Sequence, residues 1–380
     1  MADTDRSLIE LRHLLHTTAE PSGAEERTAA IVRERLEAAG ADRIVGGIGG
    51  HGLAAVFEGT KPGPRLLLRC ELDALPIPET IDLPYASHTP GVSHKCGHDG
   101  HMAILCGVAA LLGESRPGAG AVILLFQPGE EIGKGAGWVL VDGKYAELAP
   151  DRIFALHNLP GFERGALVWR EGVFSAASSG LIVELHGRTA HAAEPQKGRS
   201  PALAVAELIN AFSAMPQFGT ALDAAAKVTV IHARVGEIAF GTSPGEGAVM
   251  ATLRAHEQQV MDEISKRCEE LALGIARSHG LEVEIRWDEV FPSTVSDDDS
   301  VALVREAAER LGIEAVEAPG PFPWSEDFGN FTARTPGALF GLGAGGDHPA
   351  LHHPTYDFPD ELLPAGVAVF SELIRLVTGR

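Results

Sequence analysis

The run Arg65-Leu66-Leu67-Leu68-Arg69-Cys70 passes directly into Glu71-Leu72-Asp73-Ala74-Leu75-Pro76. A continuous apolar stretch of this length, preceded by Lys61-Pro62-Gly63-Pro64, predicts a strand buried on both faces. It brings two carboxylates to the strand's carboxyl end. The pattern recurs along the chain. Ala121-Val122-Ile123-Leu124-Leu125-Phe126 ends in Gln127-Pro128-Gly129-Glu130-Glu131, and Arg152-Ile153-Phe154-Ala155-Leu156 ends in His157-Asn158. Near the C-terminus, Gly337-Ala338-Leu339-Phe340-Gly341 leads through glycines to Leu351-His352-His353-Pro354. Sites in open α/β sheets form outside the carboxyl ends of strands. Four apolar runs ending in acid or histidine therefore predict an α/β domain with a polar site along one edge of its sheet.

Upstream, residues 6–39 read as two helices. Their break contains Ser22 followed three residues later by Glu25, a capping-box pattern, and Gly40 ends the second helix. Between the first two strands lies Ser93-His94-Lys95-Cys96-Gly97-His98-Asp99-Gly100-His101, just ahead of an apolar helical run over 102–112. Thiol, imidazole and carboxylate are the groups that hold transition metals. The glycines flanking His98-Asp99 let the backbone turn so that nearby side chains converge. The competing reading is a polar helix start capped by Asp99.

At 380 residues the chain exceeds the size at which a single core keeps growing, so two domains are expected. The alternation of helix and buried strand breaks off near residue 178. From there to about 290 the order becomes βαββαβ: strand 181–186, helix 201–215, strands 227–235 and 247–254, helix 257–278, strand 281–287. In the long helix Val260, Ile264, Cys268, Leu271 and Ile275 recur at helical spacing. This order matches a split-βαβ, ferredoxin-like α+β unit. The expected organisation is a catalytic domain over 1–177 and 291–380, interrupted by an inserted domain over 178–290.

The formal net charge of −21 argues against a nucleic-acid partner or an anionic membrane surface. No stretch approaches the roughly 20 apolar residues of a membrane span. The N-terminus, Met1-Ala2-Asp3-Thr4-Asp5-Arg6, lacks an apolar signal region. Cys70, Cys96, Cys106 and Cys268 show no paired spacing and fit a reducing compartment, with Cys106 and Cys268 as small core residues. A cytoplasmic location is the expectation.

Collected at strand ends and adjoining loops are Glu71, Asp73, Cys96, His98, Glu130, Glu131, His157 and His352. A single catalytic zinc takes about three protein ligands, whereas a metal pair uses more, with one ligand shared. This set is large enough for two ions. Adjacent glutamates can divide the work, one ligating metal and its neighbour taking a proton from water.

These residues stand in recognisable motifs. Cys96-Gly97-His98-Asp99-Gly100-His101, Gln127-Pro128-Gly129-Glu130-Glu131, Ala155-Leu156-His157-Asn158, Gly187-Arg188-Thr189-Ala190-His191-Ala192-Ala193-Glu194-Pro195, Ser325-Glu326-Asp327-Phe328 and Leu351-His352-His353-Pro354-Thr355-Tyr356-Asp357-Phe358 occur in that order. Together they resemble the M20 metallopeptidase family, in the branch of hippurate hydrolase and the indole-acetyl-amino-acid hydrolases. The resemblance implies a phosphorylase/aminopeptidase-like mixed-sheet catalytic domain, with the inserted segment as a lid and dimerisation domain. It implies two divalent ions per subunit, manganese or zinc with cobalt or nickel as substitutes, held by Cys96, His98, Glu131, His157 and His352. Cys96 is then the bridging ligand, Glu130 the general base, and Asp73 the residue that orients the ligands. His191 then reaches substrate carboxylate or oxyanion from the lid, the plainer reading being a solvated loop histidine, and the protein is a homodimer or dimer-based homo-oligomer acting on a small molecule. Trp324, beside Ser325-Glu326-Asp327-Phe328, reads from the residues as a pocket wall or equally as a core tryptophan. Of the adjacent pair, His352 is favoured over His353 as ligand.

Two departures stand out. Relatives in this branch usually have aspartate where this chain has Glu71, and often asparagine before Ile-Pro-Asp where this chain has Gly241-Thr242-Ser243-Pro244. The expected activity is hydrolysis of the amide of a small N-acyl amino acid or related amide. Because the asparagine amide is missing, the second reading is hydrolysis of another C–N bond, such as one to an aromatic ring. A cysteine hydrolase using Cys96 and His98, and a metal-dependent binding protein without activity, are further alternatives.

Overall fold

The computed structural model describes residues 2–379. The chain divides into two compact units. One runs to Phe174 and resumes over Thr294–Pro321 and from Asp327; the other comprises Ser175–Ser293 and Phe322–Glu326.

An eight-stranded mixed sheet forms the middle of the first unit. Its spatial order is Arg43–Ile48, Gly52–Glu58, Ala121–Gln127, Arg65–Glu71, Arg152–Pro160, Gly337–Gly345, Leu167–Trp169, Ala315–Glu317. The four apolar runs read from sequence are adjacent and mutually parallel in the centre of this sheet. Each is buried nearly throughout, as a strand covered on both faces must be. Parallel pairing brings their carboxyl ends to one edge of the sheet. Helices Ala2–Thr17, Glu26–Ala38, His98–Glu114, Asp298–Leu311 and Leu362–Thr378 contribute Leu11, Val32, Ile104, Val304 and Phe370 to the core against Leu66, Leu68, Leu124 and Phe340. The expected mixed α/β class is borne out. Among the described residues no helix is long and apolar enough to cross a membrane.

Two local expectations fail. The helix starting at Glu26 has no side-chain cap, so the capping box is not formed. Ser22 instead donates its hydroxyl to Asp73 Oδ2 at 2.6 Å, because a buried carboxylate is the stronger acceptor. The reading of Asp99 as a cap also fails. The helix begins at His98, ahead of the 102–112 core of the apolar run, and its N-cap is Gly97, in the left-handed region at φ 91°. A Cβ at Gly97 would stand 2.3 Å from Asn158 Oδ1, so only glycine fits there. Asp99 lies within the first turn, buried, and accepts from Arg12 Nε at 2.8 Å.

In the second unit a four-stranded antiparallel sheet has the order Ala226–Val235, Glu246–Ala255, Ala177–His186, Glu282–Phe291. With helices Ala202–Gly219 and Gln258–Ser278 this is the βαββαβ arrangement of a split βαβ. The core is apolar: Val183, Leu185, Leu208, Phe212, Val249, Leu253, Ile264 and Cys268 pack together. On the long helix the fully buried line is Met261, Ile264, Cys268, Ala272 and Ala276, while Val260, Leu271 and Ile275 flank it half-buried. Periodicity thus finds Ile264 and Cys268 in the buried line but misses Met261 and the two alanines.

Candidate metal centre

Seven of the nine candidate site residues converge at the carboxyl edge of the large sheet. Cys96 sits in the turn before the His98–Glu114 helix, His98 is that helix's first residue, and His157 lies within the Arg152–Pro160 strand. Glu130 and Glu131 follow the Ala121–Gln127 strand. Cys96 Sγ is 3.4 Å from His157 Nε2. Glu131 reaches both ways, its Oε1 3.7 Å from His98 Nε2 and its Oε2 3.6 Å from His352 Nε2. The ligand atoms of Cys96, His98 and His157 lie within 4.8 Å of one another, as do those of Cys96, Glu131 and His352. The two triplets share the Cys96 sulfur.

His98 and His157 are each oriented through the second ring nitrogen. Nδ1–H of His98 donates to the Asp73 carbonyl at 2.8 Å, and Nδ1–H of His157 to the Asn158 carbonyl at 2.9 Å. Both Nε2 lone pairs therefore face the cluster, the arrangement in which metal-bound imidazoles are held. Asp73 also accepts the Glu131 N–H at 2.9 Å, which ties the carboxylate turn to the His98 turn. Glu25 Oε1 secures the same turn from below, accepting the Gly129 N–H at 2.9 Å. His352 has left-handed backbone, φ 64°, uncommon outside glycine, and its N–H donates to the Lys95 carbonyl at 2.8 Å. His353 is exposed and bonded to Thr355 Oγ1 at 2.8 Å, so of the pair it is His352 that faces Glu131.

Burial and charge fit a divalent ion. His98 Nε2 is buried with no hydrogen-bond partner among the described residues, a costly state unless something else occupies that lone pair. Burial lowers the pKa of His98, but Glu71, Asp73 and Glu131 outweigh it and raise it to about 10: the cluster attracts positive charge. His157 is driven the other way, by burial and then by neighbouring His101, toward the neutral form that binds metal, whereas at His98 a cation would take the place of the proton that the carboxylates favour. Thiolate, imidazole and carboxylate together form a donor set suited to zinc and its neighbours in the first transition row. Glu130 is 4.0 Å from His98 Nε2 and accepts the Asp327 N–H at 3.3 Å.

His191 and Trp324 belong to the second unit. His191 is exposed on the short strand Ala190–His191, paired with Thr242–Ser243, and its Nδ1 accepts the Ala193 N–H at 3.0 Å. Trp324 stacks on Phe322 with ring centroids 5.0 Å apart.

Sequence reasoning left several supporting residues unassigned. His101 is bonded through Nδ1 to Glu71 at 2.6 Å and through Nε2 to Asn158 Oδ1 at 2.8 Å. Asn158 Nδ2 donates to the Cys96 carbonyl at 3.1 Å and to Tyr356 Oη at 2.7 Å. Arg69 is fully buried and donates to Glu71, Gln127 and Asp327. Glu71 is thereby engaged on both oxygens, by Arg69 and His101. The signal that was available for Arg69 was a charge inside an otherwise apolar strand, which must find a partner.

The comparisons identify the family. The model for peptidase family M20/M25/M40 matches residues 67–376. An N-acetyl-L-cysteine deacetylase of Bacillus subtilis (strain 168) is 31% identical, over 99% of this chain and 90% of its own length. The hippurate hydrolase of Campylobacter jejuni is 30% identical over 98% of this chain and 96% of its own length. Among solved structures, the Bacillus subtilis YXEP protein, described as a dinuclear metal binding peptidase, superposes with a TM-score of 0.83 at 28% identity, covering 100% of this chain and 99% of that one. The family expectation drawn from the motifs is thus met, and this chain belongs to peptidase family M20/M25/M40 as one of its enzymes.

Proposed function

We propose that the protein is a metal-dependent amidohydrolase cleaving the amide of a small N-acyl amino acid or a closely related amide. The observation that carries this reading is the pair of ligand triplets sharing Cys96, with Glu130 beside them. Cys96, His98, Glu131, His157 and His352 would hold two divalent ions, manganese or zinc. Such ions supply Lewis-acid activation of water and of the scissile carbonyl. Glu130, buried and adjacent to the ligand cluster, takes the proton from the attacking water and passes it to the leaving amine. Asp73 orients the site by binding the Glu131 N–H and the His98 turn.

The second unit carries the finer part of the reading. Residues 178–290 are assigned as the lid and dimerisation domain, with His191 and Trp324 as substrate contacts. Because His191 Nδ1 accepts a backbone N–H, its neutral tautomer carries the proton on Nε2, a donor suited to an oxyanion or carboxylate. Strand Ala226–Val235 is an unpaired edge with exposed Ile231 and Val235, which supports association of two copies. The buried free cysteines support a reducing, cytoplasmic setting.

The test is a panel of N-acetyl amino acids, hippurate and aryl amides, assayed as purified, after chelation, and after adding manganese or zinc. Hydrolysis of N-acyl amino acids, lost on chelation and restored by metal, is the expected result. Activity confined to aryl amides would move the assignment to another C–N bond. Activity that survives chelation but is abolished by iodoacetamide would replace the metal mechanism with a cysteine nucleophile. Glu130→Gln is expected to keep its metal while losing about 100- to 10,000-fold in rate.

A further inference from the structure

The Arg69 network leads to the proposed base. Arg69 donates through Nε to Gln127 Oε1 at 2.9 Å, through Nη2 to Asp327 Oδ1 at 2.8 Å, and through Nη1 to Glu71. Asp327 receives three further bonds: two from Gln127 Nε2, at 2.9 and 2.8 Å, and one from the Ala136 N–H at 2.8 Å. All of these side chains are buried. With its carboxylate held from three directions, Asp327 points its own backbone N–H at Glu130 Oε1, 3.3 Å away. The other arm runs from Arg69 through Glu71 to His101, then Asn158, and ends on the Cys96 carbonyl.

The geometry points to Arg69 and Asp327 as a positioning pair that aims the Glu130 carboxylate, beyond any role in stability. The inference rests on Glu130 being the general base. A fully buried guanidinium is expensive to desolvate and is retained only where its fork is satisfied. Here the fork spans two strand ends. It joins the strand before Glu130 to the strand before Asp73, and locks the Asp327 turn against both. Misplacing a reacting group by a fraction of an ångström lowers rate without necessarily weakening substrate binding. Lysine offers one point charge in place of a fork, so it can neutralise the two carboxylates without fixing their orientation.

The experiment compares Arg69→Lys, Arg69→Met and Asp327→Asn in the full-length, metal-loaded enzyme, using N-acetyl-L-cysteine, or hippurate if that is turned over faster. Arg69→Lys and Asp327→Asn are expected to lose about 10- to 100-fold in kcat, with KM within about 3-fold and metal content unchanged. Arg69→Met should lose more than Arg69→Lys. The Arg69→Lys/Asp327→Asn double variant should be about as slow as the slower single one, since both disable one device. If the Arg69 variants do not fold, Gln127→Met decides: it removes two bonds from Asp327 and leaves the ion pair in place. Folded, metal-loaded variants with kcat within about 2-fold of the parent would overturn the proposal, as would a loss that tracks metal content alone. Glu130→Gln runs alongside. If it stays active, the assignment of the base has failed; if it is inactive while the positioning variants are not, only the present inference falls.

Discussion

Arg12, Arg69, Lys95 and Asp99 are fully buried in the first unit, whereas between residues 177 and 292 no charged or histidine side chain is buried among the described residues. Over that stretch the charges lie on the surface, as in the Arg286–Glu184 pair at 2.9 Å, and the core is Leu, Val, Ile, Phe, Met, Ala and one Cys; the buried acid of the second unit, Glu326, sits in its separate 322–326 segment. Both units obey the same rule of apolar burial, yet one carries a dense ionised network through its centre. Buried ion pairs are seldom the most stabilising way to fill a core. Here the network runs into the candidate ligands: the Arg69 arms end on the Cys96 carbonyl and on the Asp327 N–H that meets Glu130, and Asp99 is the residue after His98, which supports the proposed role in orienting them.

The comparison can be broken in four ways, beginning with the largest effect. Glu71→Leu removes one partner of a buried cation and is expected to cost about 3–5 kcal/mol in urea unfolding. A cost below about 1 kcal/mol would mean that the network is not needed for folding. Chelation should strip about 3–4 kcal/mol from the first unit if metal is present at 100 to 1,000 times its dissociation constant. Hydrogen exchange should then show lost protection around 94–101 and 127–134, with 177–186 and 246–255 unchanged.

Acid should act on the same side. Burial raises the pKa of Glu71, Asp73 and Asp99, but Arg69 and His101 hold Glu71 down, His98 holds Asp73 down, and Arg12 and His16 hold Asp99 down. Groups whose folded pKa is depressed stabilise fully above their unfolded value near pH 4, and that stability is lost as pH falls through the folded value. Between about pH 5 and pH 2 the first unit should lose exchange protection, after correction for intrinsic rates, before the second does. Equal loss in both would erase the distinction. The smallest effect is Arg286→Ala. Its exposed pair should be worth less than about 1 kcal/mol, and less still at high salt.

Much of the first unit is legible in the sequence because its signals are local. Leu66 to Leu68 and Val122 to Phe126 are runs too apolar for anything but buried strands, and the acids and histidines that follow them lie where sites form. The polar residues inside those elements are far harder to read. Arg69 meets Asp327 across 258 positions and Arg12 meets Asp99 across 87, and no periodicity carries such a pairing. The capping box at Ser22 misleads for the same reason. Its hydroxyl is taken by Asp73, 51 residues away. On the Gln258–Ser278 helix, a pattern of large apolar residues cannot weigh Ala272 and Ala276, which are fully buried.

By itself the sequence determined the four central strands of the first unit, the βαββαβ order of the second, and the identity of the groups able to bind metal, since hydrophobic period and ligand chemistry are written in neighbouring residues. The outer strands Arg43–Ile48, Leu167–Trp169 and Ala315–Glu317 carry no such signal. That Cys96 is shared and that His352 faces Glu131 was implied only by the resemblance to a family, not by the residues themselves. Tertiary structure alone decided that Asp99 serves Arg12 in place of a helix cap and that Arg69 joins Glu71, Gln127 and Asp327. Those outcomes depend on which distant chain segment arrives first at a buried polar atom, and on the cost of leaving that atom without a partner.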